Sequence, residues 1–322
     1  MDSELPHLGI IGDVGVDLVM GTIAGWPQVG TELILPHSEL RAGGSAANSA
    51  LVLRHLGLQA QLIASVGQDD LGRWLAEQLH GVQTQLQVCA SATTVSVGLM
   101  HACGERNFFT TQGHLELMTP QHVLTHLHTT PKPGSLALMT GPFLLPGLRT
   151  AYPELLREVA ARGYQIALDT GWPSQGWTES VRSEVHAWLQ HCDHLLINEL
   201  EAQSLANVSD IEPAMQQIAA LMKPSASLVV KVGPRGALAL QSGQLSSHQI
   251  EPSKVFDSIG AGDTFNAGYL AARLRGADLP QALATGCRVA RAILPRFPRG
   301  TIRPGEFAAC IHGSYSSQLV KA

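Results

Sequence analysis

Six short apolar runs, at 8–11, 61–66, 136–139, 165–168, 194–197 and 228–232, limit what this chain can fold into more than any other feature. They are largely continuous rather than alternating, as strands buried on both faces are. Longer stretches with apolar residues at helical spacing lie between and beyond them, at 45–56, 72–79, 153–162, 181–190, 213–222, 264–275 and 279–293. Strands separated by helices predict an α/β fold: a doubly wound, mostly parallel sheet flanked by helices. Polar or glycine residues follow the runs: Asp13 and Asp17 after the first, then Gly141, Asp169, Asn198 with Glu201, and Gly233. Ligands of open α/β sheets bind at the carboxyl ends of strands, so a site is expected there.

Two stretches break the alternation. Residues of about 14–40 and 93–112 alternate like strands, with turns at Gly25-Trp26-Pro27 and Cys103-Gly104-Glu105. They are expected to pair into a small antiparallel sheet over the ligand end of the larger one, where it would act as a lid. The expected organisation is a single domain over 1–313, these two lid segments included, with a frayed tail at 314–322.

The chain of 322 residues is 45% hydrophobic and 15% charged, ample for one large domain. A net charge of −5 supplies no basic face for nucleic acid. The five cysteines form no Cys-x-x-Cys pair, which argues against a zinc site or a disulfide framework. Asp2 and Glu4 stand where a signal peptide would be basic, and no apolar run is long enough to span a membrane. A cytoplasmic protein with neither a membrane nor a nucleic-acid partner is expected.

The stretch from Asp257 to Gly268 reads DSIGAGDTFNAG. Gly260 and Gly262 let backbone amides approach a ligand closely, and the apolar spacing that follows places the turn at a helix N-terminus, which favours an anion. Asp263 puts a carboxylate at that same place. An acid beside an anion site is useful when it must take a proton from a hydroxyl attacking a phosphoryl group. The third glycine of a dinucleotide fingerprint is missing, with Phe265 in its place, and neither the Lys-Ser/Thr phosphate loop nor the protein-kinase lysine strand occurs. A second glycine pair, Gly43-Gly44, precedes another helical stretch containing Asn48. With Asp17 these suit a polyhydroxylated ligand, whose hydroxyls both donate and accept. Taken singly, either turn also reads as a plain capped loop.

Together these residues resemble the ribokinase-like carbohydrate kinases, the phosphofructokinase B family. The late motif from Asp257 to Gly268 carries most of the resemblance. Gly43 to Asn48, the run from Val66 to Gly72, Asn198-Glu-Leu-Glu201 and Val232-Gly-Pro-Arg-Gly236 follow the family in the same order. The resemblance spans about Leu8 to Phe307 and implies ATP-dependent phosphorylation of a sugar hydroxyl. It places Asp263 at the catalytic base and the amides of Gly260, Ala261, Gly262 and Asp263 at an anion hole. Asp17, Gly43, Gly44 and Asn48 fall at substrate contacts. Asn198 and Glu201 fall at a motif that organises Mg²⁺ through water, and Gly233 and Gly236 on the nucleotide side. Lys231 joins that side, replacing a small hydroxyl residue; it reaches a phosphate or points to solvent. Asp257 and the Ile259 carbonyl resemble part of a monovalent-cation (K⁺) site found in some members, although Phe297, Pro298 and Arg299 depart from the rest of that loop. Gly15 replaces an asparagine of ribokinase itself, and 140–143 lacks its acid. Relatives often pair through the lid, implying a homodimer. A nucleoside kinase of the same fold, with Trp26, Phe108, Phe109 and Phe143 lining a base slot, is the alternative substrate reading; a sugar-binding regulator without catalysis is the other.

Overall fold

The structure is a computed structural model that describes residues 5–251, 258–296 and 298–312. Its strands are β1 (Leu8–Ile11), β2 (Gly15–Ile23), β3 (His37–Gly43), β4 (Gln61–Gly67), β5 (Gln83–Cys89), β6 (Val95–His101), β7 (Arg106–Thr110), β8 (Leu136–Thr140), β9 (Gln165–Asp169), β10 (His194–Asn198), β11 (Ser227–Lys231), β12 (Ala237–Gln241) and β13 (Gln244–His248). The helices are α1 (Ser45–His55), α2 (Asp70–Gln78), α3 (Pro120–His126), α4 (Pro146–Arg149), α5 (Tyr152–Ala161), α6 (Glu179–Leu189), α7 (Glu199–Ala206), α8 (Ile211–Ala219), α9 (Ala261–Leu274), α10 (Leu279–Ile293) and α11 (Ala309–His312).

Among the described residues, nine strands form the main sheet in the order β13-β12-β11-β10-β9-β8-β1-β4-β5. The seven strands from β11 to β5 run parallel, and β12 and β13 are antiparallel at one edge. All six apolar runs are strands of this sheet. The six runs did not reveal β5, β12 and β13; the two at the rims, β5 and β13, read QTQLQVC and QLSSH, without a continuous apolar run. From β1 the chain first winds one way, to β4 and β5, and later returns to place β8 on the other side of β1. That reversal opens a crevice outside the carboxyl ends of β1 and β8.

The smaller sheet runs β3-β2-β6-β7. Its centre corrects the expectation of an antiparallel lid: β2 and β6 are parallel, and only the outer pairs are antiparallel. Each segment folds back as its own hairpin, and the two first strands then lie side by side in the same direction. One face, carrying Val19 and Met100, packs on Ile259 of the main body. On the same face Arg106 Nη1 donates to Ser258 Oγ at 3.2 Å and Glu39 Oε1 accepts from the Gly300 amide at 3.1 Å.

Helix α9 is the central helix of the fold, buried along most of its length and packed on α10 and α1. Small residues set that approach. A Cβ on Gly268 would stand 2.8 Å from Val289 Cβ, and one on Gly286 would stand 2.8 Å from the Phe265 ring. Tyr269 Oη meets His194 Nδ1 at 3.0 Å, tying α9 to β10. Burial pushes His194 down to about 4, so it stays neutral in that bond.

Candidate active site

The carboxyl ends of β9 and β11 meet the first turn of α9. Gly260 caps the helix in the left-handed region (φ 74°, ψ 13°), where glycine alone carries no penalty. The Ala261 amide donates to the Ser258 carbonyl at 3.1 Å, closing a tight turn, so this member of the expected anion hole is already engaged. The Gly262 and Asp263 amides stand in the first turn, where a helix offers no internal acceptor and the dipole is positive. A Cβ on Gly262 would lie 3.2 Å from Lys231 Nζ, so the glycine lets the ammonium close on the turn.

Asp263 lies part-buried in this turn, and its Oδ2 accepts from Asn48 Nδ2 at 2.8 Å. Residues 215 positions apart are thus joined across the cleft. Burial, and then the neighbouring Asp169, push the Asp263 carboxyl up to about 7, while Asn48 and Lys231 pull the other way and Asp13 adds to the rise. A carboxyl poised there can exchange a proton at physiological pH.

Lys231, at the end of β11, does not point to solvent. Its Nζ donates to Asp169 Oδ2 at 2.8 Å and to Asn266 Oδ1 at 3.2 Å, and Asn266 Nδ2 donates to the same Asp169 oxygen at 2.6 Å. Burial opposes the lysine's charge, but Asp169 and Glu201 outweigh it and hold Lys231 above its usual range. Asp169, Glu201 and Asp263 thus share one ammonium among them.

On the lid side, Asp17 is buried in β2, and its carboxylate lies where a Gly43 side chain would be: a Cβ there would come within 2.0 Å of Asp17 Cγ. Gly44 (φ 89°) caps α1, with the Asp13 carbonyl 2.5 Å from where its Cβ would stand. These contacts explain why two glycines precede Asn48. Asp17, Asn48 and Asp263 therefore border the same region between lid and sheet.

Asn198 and Glu201 form a capping box on α7: Asn198 Oδ1 accepts from the Glu201 amide and Glu201 Oε2 from the Asn198 amide, both at 2.8 Å. The cap explains a helix that the sequence pattern did not reveal. Burial, and then Asp169, push the Glu201 carboxyl up to about 7. A buried acid in a crowd of acids is a good partner for a hydrated dication, which would relieve that repulsion. Gly233 (φ 59°) faces open space beside the end of β11, whereas Gly236 (φ 102°) is required by packing, its Cβ position lying 2.0 Å from the His248 carbonyl oxygen.

The K⁺ expectation fares differently. Asp257 and Phe297 lie outside the described residues, and the Ile259 carbonyl accepts from Arg299 Nη1. A carbonyl facing a guanidinium does not fit as a ligand for a metal cation. Among the described residues no group of three or more His, Cys, Asp or Glu side chains is arranged to hold a metal.

Three residues at the site have no role in it assigned from sequence. Asp169 ends β9, Asn266 lies one turn along α9 from Asp263, and Arg299 reaches back 40 positions to Ile259. Strand-end position flags the first and i,i+3 spacing the second; Arg299 stands out only as a departure from the monovalent-cation loop. Asp13 Oδ1 is buried beside Gly141 at the crevice with no donor among the described residues. Of the proposed base slot, Phe143 packs edge-on to Trp177 and tilted on Trp188, while Trp26 and Phe109 meet edge to face on the outer side of the lid. Only Phe108, beside Gly98 and Ile259, faces inward. His122 and His126 bond to the carbonyls of Gln85 and His122, respectively.

A profile of the pfkB family carbohydrate kinases matches residues 17–298. A fructokinase from Klebsiella pneumoniae is 28% identical over 268 residues, 78% of this chain and 84% of that protein. A nucleoside kinase from Methanocaldococcus jannaschii is 21% identical over 299 residues, 90% of this chain and 91% of its own. In three dimensions the chain superposes with a TM-score of 0.78 on an Escherichia coli protein described as a ribokinase II and solved with ATP and Mg²⁺, at 22% identity over 96% of this chain and 99% of the other. No helix among the described residues is long and apolar enough to cross a membrane. With the profile spanning most of its length and the fold shared throughout, the chain belongs to the pfkB family of carbohydrate kinases.

Proposed function

We propose that this protein transfers the γ-phosphoryl group of ATP directly to a sugar hydroxyl, with Asp263 as general base and the first turn of α9 as the anion cradle. One observation carries the reading: Asp263, raised to about 7, stands in that turn and is bonded to Asn48 from the opposite wall. Asp17 and Asn48 orient the hydroxyls. Asp263 takes the proton of the attacking hydroxyl while the amides of Gly260, Gly262 and Asp263, with that of Ala261 shared with Ser258, offset charge on the phosphoryl oxygens. Lys231 adds a fixed positive charge against the same turn. Asn198 and Glu201 would hold Mg²⁺ through its waters, and the ion would supply positive charge against that of the phosphates. Gly233 leaves the nucleotide side open. The lid excludes water, which would otherwise compete as acceptor.

Purified protein with Mg·ATP is expected to release ADP when offered a member of a sugar panel. ADP release with nucleosides alone would support the alternative substrate; the lone inward aromatic, Phe108, speaks for sugars. Binding without any ADP release would indicate a regulator. The outer lid face, with Trp26, Leu40 and Phe109 exposed, suits a homodimer in solution, and a monomer mass by sedimentation would remove that part.

A further inference from the structure

We infer that Arg299 is the resident cation of the anion-hole turn, a positioning residue whose guanidinium makes turnover independent of any monovalent metal ion. This rests on the kinase reading above. The peptide between Ile259 and Gly260 is the link. In a trans peptide the carbonyl and the amide point in opposite directions. Arg299 Nη1 binds the Ile259 carbonyl, so the Gly260 amide is aimed away from the guanidinium, on the side of the α9 cradle. A positive charge on the oxygen polarises the amide and strengthens the N–H as a donor.

Both ends of this contact are fixed. The Ile259 side chain is buried between Val19 and Met100 of the lid. Arg299 begins a short 3-10 turn, Arg299–Thr301, whose carbonyl accepts from buried Ile302 at 3.1 Å and whose Gly300 amide is held by Glu39. The guanidinium also borders Gly260 itself, its Nη1 lying 3.5 Å from the place of an added Cβ. A guanidinium is charged at every working pH and weakly hydrated, so it fills this post without the binding equilibrium an ion requires.

The test compares kcat in potassium, sodium and tetramethylammonium chloride at equal ionic strength, with thermal melting in each salt. The wild-type protein is expected to show the same kcat within about twofold and the same melting temperature in all three. Arg299→Ala is expected to lose about 10²-fold in kcat with little change in sugar KM, as for loss of one anion-hole donor. Millimolar guanidinium chloride or K⁺ should restore part of it saturably, and Arg299→Lys should retain more than Arg299→Ala. A wild-type enzyme stimulated more than tenfold by K⁺ overturns the inference without recourse to any variant. So does a folded Arg299→Ala protein with full kcat in tetramethylammonium, or one that neither cation rescues. No turnover in any salt removes the kinase reading and this inference with it.

Discussion

Asp263 is one residue with two opposed demands on it. As the proposed base it must be ionised to accept a proton, yet burial and Asp169 favour its neutral form. The outcome is a carboxyl near 7, with an acid limb in the rate: below that pH, kcat/KM should fall about tenfold per unit as the base fills with protons. Asn48 donates to the ionised form, so Asn48→Ala should move that limb to higher pH as well as weaken sugar binding. A pH–rate profile from 5.5 to about 9 reads both effects; a limb that stays in place would deny Asn48 this role. The same shift has a stability sign. A carboxyl whose ordinary value is 3.8 and which is raised to about 7 on folding favours the folded state when protonated. That contribution is complete below the ordinary value and is lost as pH rises through about 7. Asp263→Asn should therefore melt higher than wild type at pH 8, an advantage that vanishes in acid.

Elements differ in how plainly their residues announced them. The buried strands were legible because burial on both faces demands continuous apolar residues. The first turn of α9 was legible because glycine spacing and an acid are local features. Helix α7 was not, because its Asn198–Glu201 pair reads as a metal motif while also being its cap. The Lys231–Asp169–Asn266 cluster was not, because three separate elements bring it together. Helix α9 itself depends on a fit no sequence pattern displays: Gly268 and Gly286 allow α10 to approach closely enough to hold the turn at the sheet edge. Gly268→Ala puts a methyl group 2.8 Å from Val289 Cβ and should cost about 1–3 kcal/mol by overpacking. Chemical denaturation measures it. Because α9 carries the cradle, kcat should fall with stability, whereas an unchanged midpoint would show that the helices relax freely.

At the scale of the molecule, lid and main sheet are not independent bodies joined by a hinge alone. Ile259, Ser258 and Gly300 all belong to loops of the main body at the anion-hole end, and all three are held by lid residues. A lid in this position both shelters the site and fixes the turn that must carry the developing charge, which couples water exclusion to assembly of the cradle. The fold class, a small lid sheet and a glycine turn opening a helix at Asp263 were all expected from sequence; the latch between lid and turn was not, since it joins segments more than 150 positions apart. What unites these parts is the claim that Asp263 removes a proton from an alcohol held across the cleft. The most direct test is ADP formation by Asp263→Asn at pH 8 with the best acceptor from the sugar panel, alongside calorimetric binding of that acceptor. The account predicts a loss of about 10³-fold in kcat with acceptor affinity nearly unchanged. A variant that keeps kcat within tenfold of wild type would contradict it.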